Sequence, residues 1–193
     1  MEPVTLRTER LVLSPPTEAD VDTIAELCQD EGVQRWTTVP SPYSRDDAVG
    51  FIGMIERAWE SGSGHTWALR SGEDSTVMGM IGLDGHRDDA AELGFWLGSQ
   101  HRGAGLMTEA ADAVCTFGFR DLGLKRIVWH ALLPNAASAS VARKLGFRYE
   151  GLERLGAVQR GRRVDQWQAS LLADDPRDDA GAWPADTYGE YTS

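Results

Sequence analysis

Apolar residues in this chain recur with two periods, about two and about three and a half residues, and the switches between them mark out its elements. Leu11 and Leu13 belong to a first strand. Thr17 and Asp20, three residues apart, form a capping box for a helix over 18–29. Ser44 and Asp47 repeat the device for a helix over 45–59, which puts Val49, Ile52, Ile55 and Trp59 on one face. The segment 31–43 between the two, rich in proline and aromatic residues, reads as a loop. Strand-like runs follow at 65–70, 76–83 and 91–97, separated by Ser-Gly-Glu-Asp and Gly-His-Arg-Asp-Asp turns, and predict an antiparallel meander.

Helical spacing returns with Leu106, Ala110, Ala113, Val114 and Phe117 and predicts a helix over 106–121, stopped by Gly123. The β-branched run 126–131 then completes a β-α-β crossover. Asn135 opens a further helix that Gly146 ends, and 147–155 with 164–172 form a closing hairpin around 159–163. No internal repeat or low-complexity linker interrupts this order, so the expectation is one α/β (α+β) domain.

The junction between the run 91–97 and the helix 106–121 carries the most chemistry. It reads Gln100-His101-Arg102-Gly103-Ala104-Gly105-Leu106-Met107-Thr108. At a helix start several backbone N–H groups lack partners and the peptide dipoles leave partial positive charge, so a phosphate can be held by main chain alone. Glycine at 103 and 105 keeps side chains off those groups and permits positive φ, and Arg102 adds a charge. An ordinary strand-to-helix turn is the competing reading. The spacing fits neither the Gly-x-x-x-x-Gly-Lys-[Ser/Thr] loop nor the dinucleotide fingerprint, whose third glycine is replaced by Thr108.

Gln-x-x-Gly-x-Gly after a strand resembles the acetyl-CoA signature of the GCN5-related N-acetyltransferases (GNAT). The flanks Glu92-Leu93-Gly94-Phe95-Trp96-Leu97, Thr108-Glu109-Ala110, Asn135-Ala136-Ala137-Ser138 and Lys144-Leu145-Gly146-Phe147, with the opening Leu6-Arg7-Thr8-Glu9-Arg10-Leu11-Val12-Leu13, are similar to the RimJ/RimL-like subgroup that acetylates ribosomal-protein N-termini. The resemblance covers 5–172 and implies a mixed, mostly antiparallel sheet of about six or seven strands with helices on both faces. Its fourth and fifth strands splay apart to admit the pantetheine arm of acetyl-CoA. It further implies that Phe95, Trp96 and Leu97 position the thioester, that residues Gln100, Arg102, Gly103, Ala104, Gly105, Leu106, Met107 and Thr108 hold the pyrophosphate, and that Asn135 and Ser138 meet the pantetheine and the leaving sulfur. Trp36 and Tyr43 stand where the family admits its acceptor. The subgroup often has Arg where this chain has Ser14, and many relatives use a tyrosine as thiol acid, yet no tyrosine lies between Tyr43 and Tyr149.

Transfer from a thioester to an amine needs a neutral amine, a stabilised oxyanion and a protonated leaving thiolate. An α-amine with pKa near 8 is about one-tenth neutral at pH 7, whereas a lysine is neutral about one part in several thousand, a gap of roughly 3.5 kcal/mol. Glu92 is the candidate base, as the one carboxylate of the central strand beside Gly94 and Trp96; Asp84, His86 and His130 are rivals. A solvated or paired Glu92 at a strand start is the plainer alternative. Ser138 would hydrogen-bond the thiolate, or else be only the third residue of a helix capped by Asn135. Trp36 could equally pack against a helix.

The chain has 193 residues and a formal charge of −11, with a pI near 4.7. That balance speaks against nucleic acid and anionic membranes and for a cationic amine acceptor, a peptide N-terminus or a small amine such as an aminoglycoside or polyamine; a homodimer is compatible with it. Part of the charge sits in Asp174, Asp175, Asp178, Asp179, Asp186 and Glu190, so 1–173 is expected as the catalytic domain and 174–193 as an acidic, disordered tail. Cys28 and Cys115 are too few for a disulfide framework and read as core thiols. With no leader and no apolar membrane-length span, a cytoplasmic enzyme using acetyl-CoA and no metal is expected. A catalytically silent acyl-CoA sensor would carry the same cradle.

Overall fold

The structure, a computed structural model, describes residues 2–189. Eight strands form one sheet in the order β1-β2-β3-β4-β5-β6-β8-β7: β1 (Leu6–Arg7), β2 (Val12–Ser14), β3 (Gly64–Arg70), β4 (Gly79–Arg87), β5 (Ala90–Leu97), β6 (Arg126–Leu132), β7 (Arg148–Gln159) and β8 (Arg162–Leu172). All neighbours are antiparallel except β5 and β6, which the crossover through α4 (Leu106–Arg120) makes parallel. The eighth strand beyond expectation is β1, a two-residue pair with β2 too short to show a period. The remaining helices are α1 (Val21–Leu27), α2 (Glu31–Trp36), α3 (Arg45–Ser61) and α5 (Ala136–Lys144).

Both expected capping boxes form. Asp20 closes back on the Thr17 amide at 2.7 Å ahead of a short 3-10 turn and α1, and Asp47 on the Ser44 amide at 2.8 Å ahead of α3. The face of α3 differs from expectation: Ala48, Ile52, Ile55 and Trp59 are buried, and Val49 is 45% exposed. The segment 31–43 also differs, because Asp30 accepts from the Val33 amide at 2.8 Å and starts α2. At the hairpin tip Arg160 and Gly161 take φ of 49° and 74°, a tighter turn than expected, and it lengthens both strands.

The core is continuous across the sheet. β3 is buried along its whole length, so both its faces are covered. His65 packs there against Trp59, Trp67 and Phe117. Neither of its ring nitrogens has a partner among the described residues, and burial pushes its pKa down to about 4, so it serves as a neutral aromatic. Arg70 and Asp20 pair at 2.7 Å inside the protein, where Arg70 also donates to Ser14 Oγ and the Ser75 carbonyl. A guanidinium thus reaches position 14 from β3 rather than from position 14 itself.

The end of the chain departs from the expected solvated tail. Trp183 is 7% exposed, donates to the Phe147 carbonyl at 3.1 Å and packs on Trp129 and Tyr149, and Thr187 is fully buried beside Arg143 of α5. Acidic composition masked a few apolar side chains with partners in the sheet; Glu190 lies outside the described residues. Among the described residues no helix is long and apolar enough to cross a membrane.

Candidate active site

Pairing between β5 and β6 ends at Glu92 with Val128. Beyond that point β5 stays bonded to β4 as far as Leu97, and β6 to β8 as far as Leu132. Residues 93–97 and 129–132 therefore face each other across a wedge with free backbone edges. A cleft of about 980 Å³ opens from it, lined by Gly94, Phe95, Trp96 and Leu97 on one side and by Trp129, His130, Asn135 and Ser138 on the other. An extended chain of amide groups, such as pantetheine, matches such an edge.

The glycine-rich turn stands at the end of β5. Gly103 and Gly105 have φ of 82° and 76°, and Gly105 caps α4 without any side-chain acceptor for the first helical amides. A Cβ at 103 would meet nothing within 4 Å. Positive φ, not crowding, thus selects glycine, and the space above the amides is left open to an anion. Arg102, Gly103, Gly105, Leu106, Met107 and Thr108 line the cleft; Gln100 and Ala104 belong to the turn without lining it. The Arg102 guanidinium is engaged with the Leu97 carbonyl and Asp30, so it ties the turn to α2.

A second tie was not foreseen. Arg10 donates to the Ala104 carbonyl at 2.9 Å and to Glu109 at 2.6 Å, and the Thr8 hydroxyl and the Arg10 amide also reach Glu109. The opening Thr-Glu-Arg-Leu run is therefore a strut under the turn. Its signal, a carboxylate in the first turn of α4, was visible but its partner lay about a hundred residues away.

Glu92, Asp84 and His130 come together at the apex of the wedge. Asp84 is the cross-strand partner of Glu92, and His130 Nδ1 lies 3.2 Å from Glu92 Oε1. The Glu92 contact, against some desolvation, raises the His130 pKa, with Glu153 and Gln168 adding to it. The Asp84 carboxyl lies open to water at the cleft yet is raised from the usual range, first by desolvation and then by the Glu92 charge. It has room because residue 64 across the ladder is glycine: a Cβ there would stand 2.7 Å from Asp84 Oδ1. His86 does not line the cleft.

Ser138 satisfies the plain reading and leaves the functional one open. Its amide donates to Asn135 Oδ1 at 3.1 Å, so Asn135 is the N-cap of α5. Its hydroxyl accepts from Trp129 Nε1 at 3.0 Å, an indole that can only donate, so the serine proton remains available to the cleft. Trp129 and Val141 were not singled out from the sequence, and Ala137 and Lys144 appear there only within the resemblance motifs; all four line the same wall. Burial pushes Cys28 and Cys115 up to about 12, which keeps both as thiols.

On the side of α2 and α3, where an acceptor was expected, Trp36 lines the cleft half-buried with the Arg35 guanidinium over its ring. Tyr43 touches the cleft but is 7% exposed and belongs chiefly to the core. Phe51 and Met54 of α3 supply apolar wall, and Asp47 a carboxylate. The tip of the β7–β8 hairpin crosses to this wall: Gln159 donates to the Arg35 and Thr37 carbonyls at 2.8 and 2.9 Å, and Arg160 to that of Gln34.

The chain belongs to the acetyltransferase (GNAT) domain family, whose model matches residues 10–148. It is 29% identical over 170 residues to the uncharacterized N-acetyltransferase p20 of Bacillus licheniformis, covering 87% of this chain and 96% of that one. Its fold matches that of RimL, a ribosomal L7/L12 α-N-protein acetyltransferase in complex with coenzyme A, with a TM-score of 0.80 at 19% identity, covering 88% of this chain and 98% of that one. The ribosomal-protein-S5-alanine acetyltransferase of Vibrio fischeri matches with a TM-score of 0.78 at 20% identity, over 89% and 98% of the two chains. This chain is accordingly an N-acetyltransferase.

Proposed function

We propose that the enzyme transfers acetyl from acetyl-CoA to a primary amine by direct attack in a ternary complex, and that the amine is the α-amino group of a peptide or protein N-terminus. The observation that carries this reading is the wedge, with a carboxylate pair and His130 at its apex and an open, uncapped helix start at its mouth. Pantetheine extends the free edge of β5, and the amides of α4 take the pyrophosphate. The incoming ammonium is held by Asp84 and Glu92, loses its proton to Glu92 and on to His130 or water, and the nitrogen attacks the thioester carbon. As the tetrahedral intermediate collapses the C–S bond breaks, the nitrogen gives up its second proton to solvent, and the thiolate, stabilised by the Ser138 hydroxyl, takes a proton from solvent in turn. An α-amine suits this weak base, since it is already about one-tenth neutral at pH 7.

One observation favours a small cationic amine as the second reading. The hairpin tip bonds across to residues 34–37 and closes that end of the acceptor groove, which a long peptide would need open. CoA release from acetyl-CoA is the test, with N-terminally free peptides as one panel and polyamines and aminoglycosides as the other. Turnover with peptides alone supports the first reading, turnover with small amines alone the second. Tight acetyl-CoA binding without turnover on either would point to an acyl-CoA-binding module.

A further inference from the structure

The C-terminal segment 174–189 reaches the candidate site through Trp183, which packs on the indole that bonds Ser138. Trp183 packs on the Trp129 ring, with centroids 5.7 Å apart, and Trp129 in turn donates to Ser138 Oγ at 3.0 Å. Trp129 is 1% exposed, so its tilt is set by what it packs against. Trp183 is itself fixed by its bond to the Phe147 carbonyl and by the Tyr149 ring. The segment then returns to α5, the helix that carries Ser138: Arg143 lies over the Tyr188 ring at 3.9 Å and donates to the Thr187 carbonyl at 3.0 Å.

We infer that Trp183 is a positioning residue for acetyl transfer: through the Trp129 ring it keeps an indole N–H on Ser138 Oγ, which reserves the serine proton for the departing sulfur. The inference rests on the role proposed above for Ser138. A serine in a helix can otherwise rotate and donate to a carbonyl one turn back, which would consume that proton. An indole can only donate, so its contact with Oγ occupies a lone pair and leaves the hydrogen free. The segment that composition assigns to solvent is on this account a support for the catalytic apparatus, reaching the cleft through two indoles packed at a tilt of 58°.

The test uses the full chain in four forms, wild type, W183A, S138A and the double variant, with W183F as the conservative replacement. kcat and KM are measured by CoA release with the acceptor that turns over, beside thermal melting. W183A should lower kcat about five- to tenfold, the value of one well-placed hydrogen bond, with KM for acetyl-CoA within about twofold. W183F, which keeps the ring, should retain most of the rate. In the S138A background W183A should change kcat no further. An equal loss in both backgrounds, or wild-type kcat in W183A, overturns the inference and leaves Ser138 untouched; a wild-type rate in S138A removes the proposed Ser138 role and the inference with it. Should W183A not fold, R143A releases the same segment at Thr187 and Tyr188 and is read by the same comparison.

Discussion

Glu92 and His130, on the two strands that part company, meet at 3.2 Å at the last parallel pair, where the sheet opens. The contact raises the His130 pKa, and the sign of the resulting pH dependence follows. A histidine favoured in its charged form by folding adds stability fully below its unfolded pKa of about 6.5, and that contribution is lost as pH rises through the higher folded value. H130Q should therefore be less stable than wild type at pH 5.5, by roughly 0.5–1 kcal/mol for a partly exposed pair, and equal to it at pH 9. Denaturant titration at both pH values checks this. Equal differences at the two would mean that His130 only packs.

The glycine turn makes a cleaner prediction about binding. G103V places a side chain in open space but on a backbone with φ of 82°, which costs about 1–2 kcal/mol in strain and covers the free amides of α4. Melting should show a modest loss of stability with the fold retained, while acetyl-CoA affinity collapses in a direct titration. Unchanged affinity would remove the turn from the binding site.

The order of long elements was legible because each carries many repeats of its period and its own punctuation: Ser44 with Asp47, Thr17 with Asp20, Gly123 and Gly146. The wedge itself came only from resemblance, since no local pattern says where two parallel strands separate. α2 escaped because six residues including Gly32 hold too few turns to show a stripe, and its one strong signal, Asp30, is also the partner of Arg102. Val49 was placed on the wrong face because it is more apolar than Ala48, though Ala48 has the spacing that meets Ile52 and Ile55. The tail was misjudged for the opposite reason: its net charge is a sum, and Trp183 is buried by a partner in β6 that the sum does not contain.

Arg10 tests whether the opening segment supports the cradle. It holds both the Ala104 carbonyl and Glu109, and its removal would leave the turn free to move relative to α4. R10A should weaken acetyl-CoA binding about five- to tenfold, with kcat at saturating acetyl-CoA close to wild type, because the strut touches neither Glu92 nor Ser138. R10K keeps the charge but cannot bridge a carbonyl and a carboxylate in the same fork, so it should rescue little. Full rescue by lysine would assign the effect to charge alone.

Gln159 tests what limits the acceptor. Its amide makes two bonds to carbonyls at the end of α2, and with Arg160 it joins the hairpin to the wall that carries Trp36. Neither residue is close to Glu92 or Ser138 in the ladder, so Q159A should cost at most about 1 kcal/mol of stability and leave acetyl-CoA binding unchanged. Opening the groove should instead shift acceptor preference. The ratio of kcat/KM for a folded-protein N-terminus to that for a small amine is expected to rise several-fold, roughly the 1 kcal/mol that separates a blocked from an open groove. The measurement is a paired competition assay with both acceptors in one reaction. A ratio that stays constant would show that the groove is selective at its floor, by Asp84 and Glu92, and not at its rim.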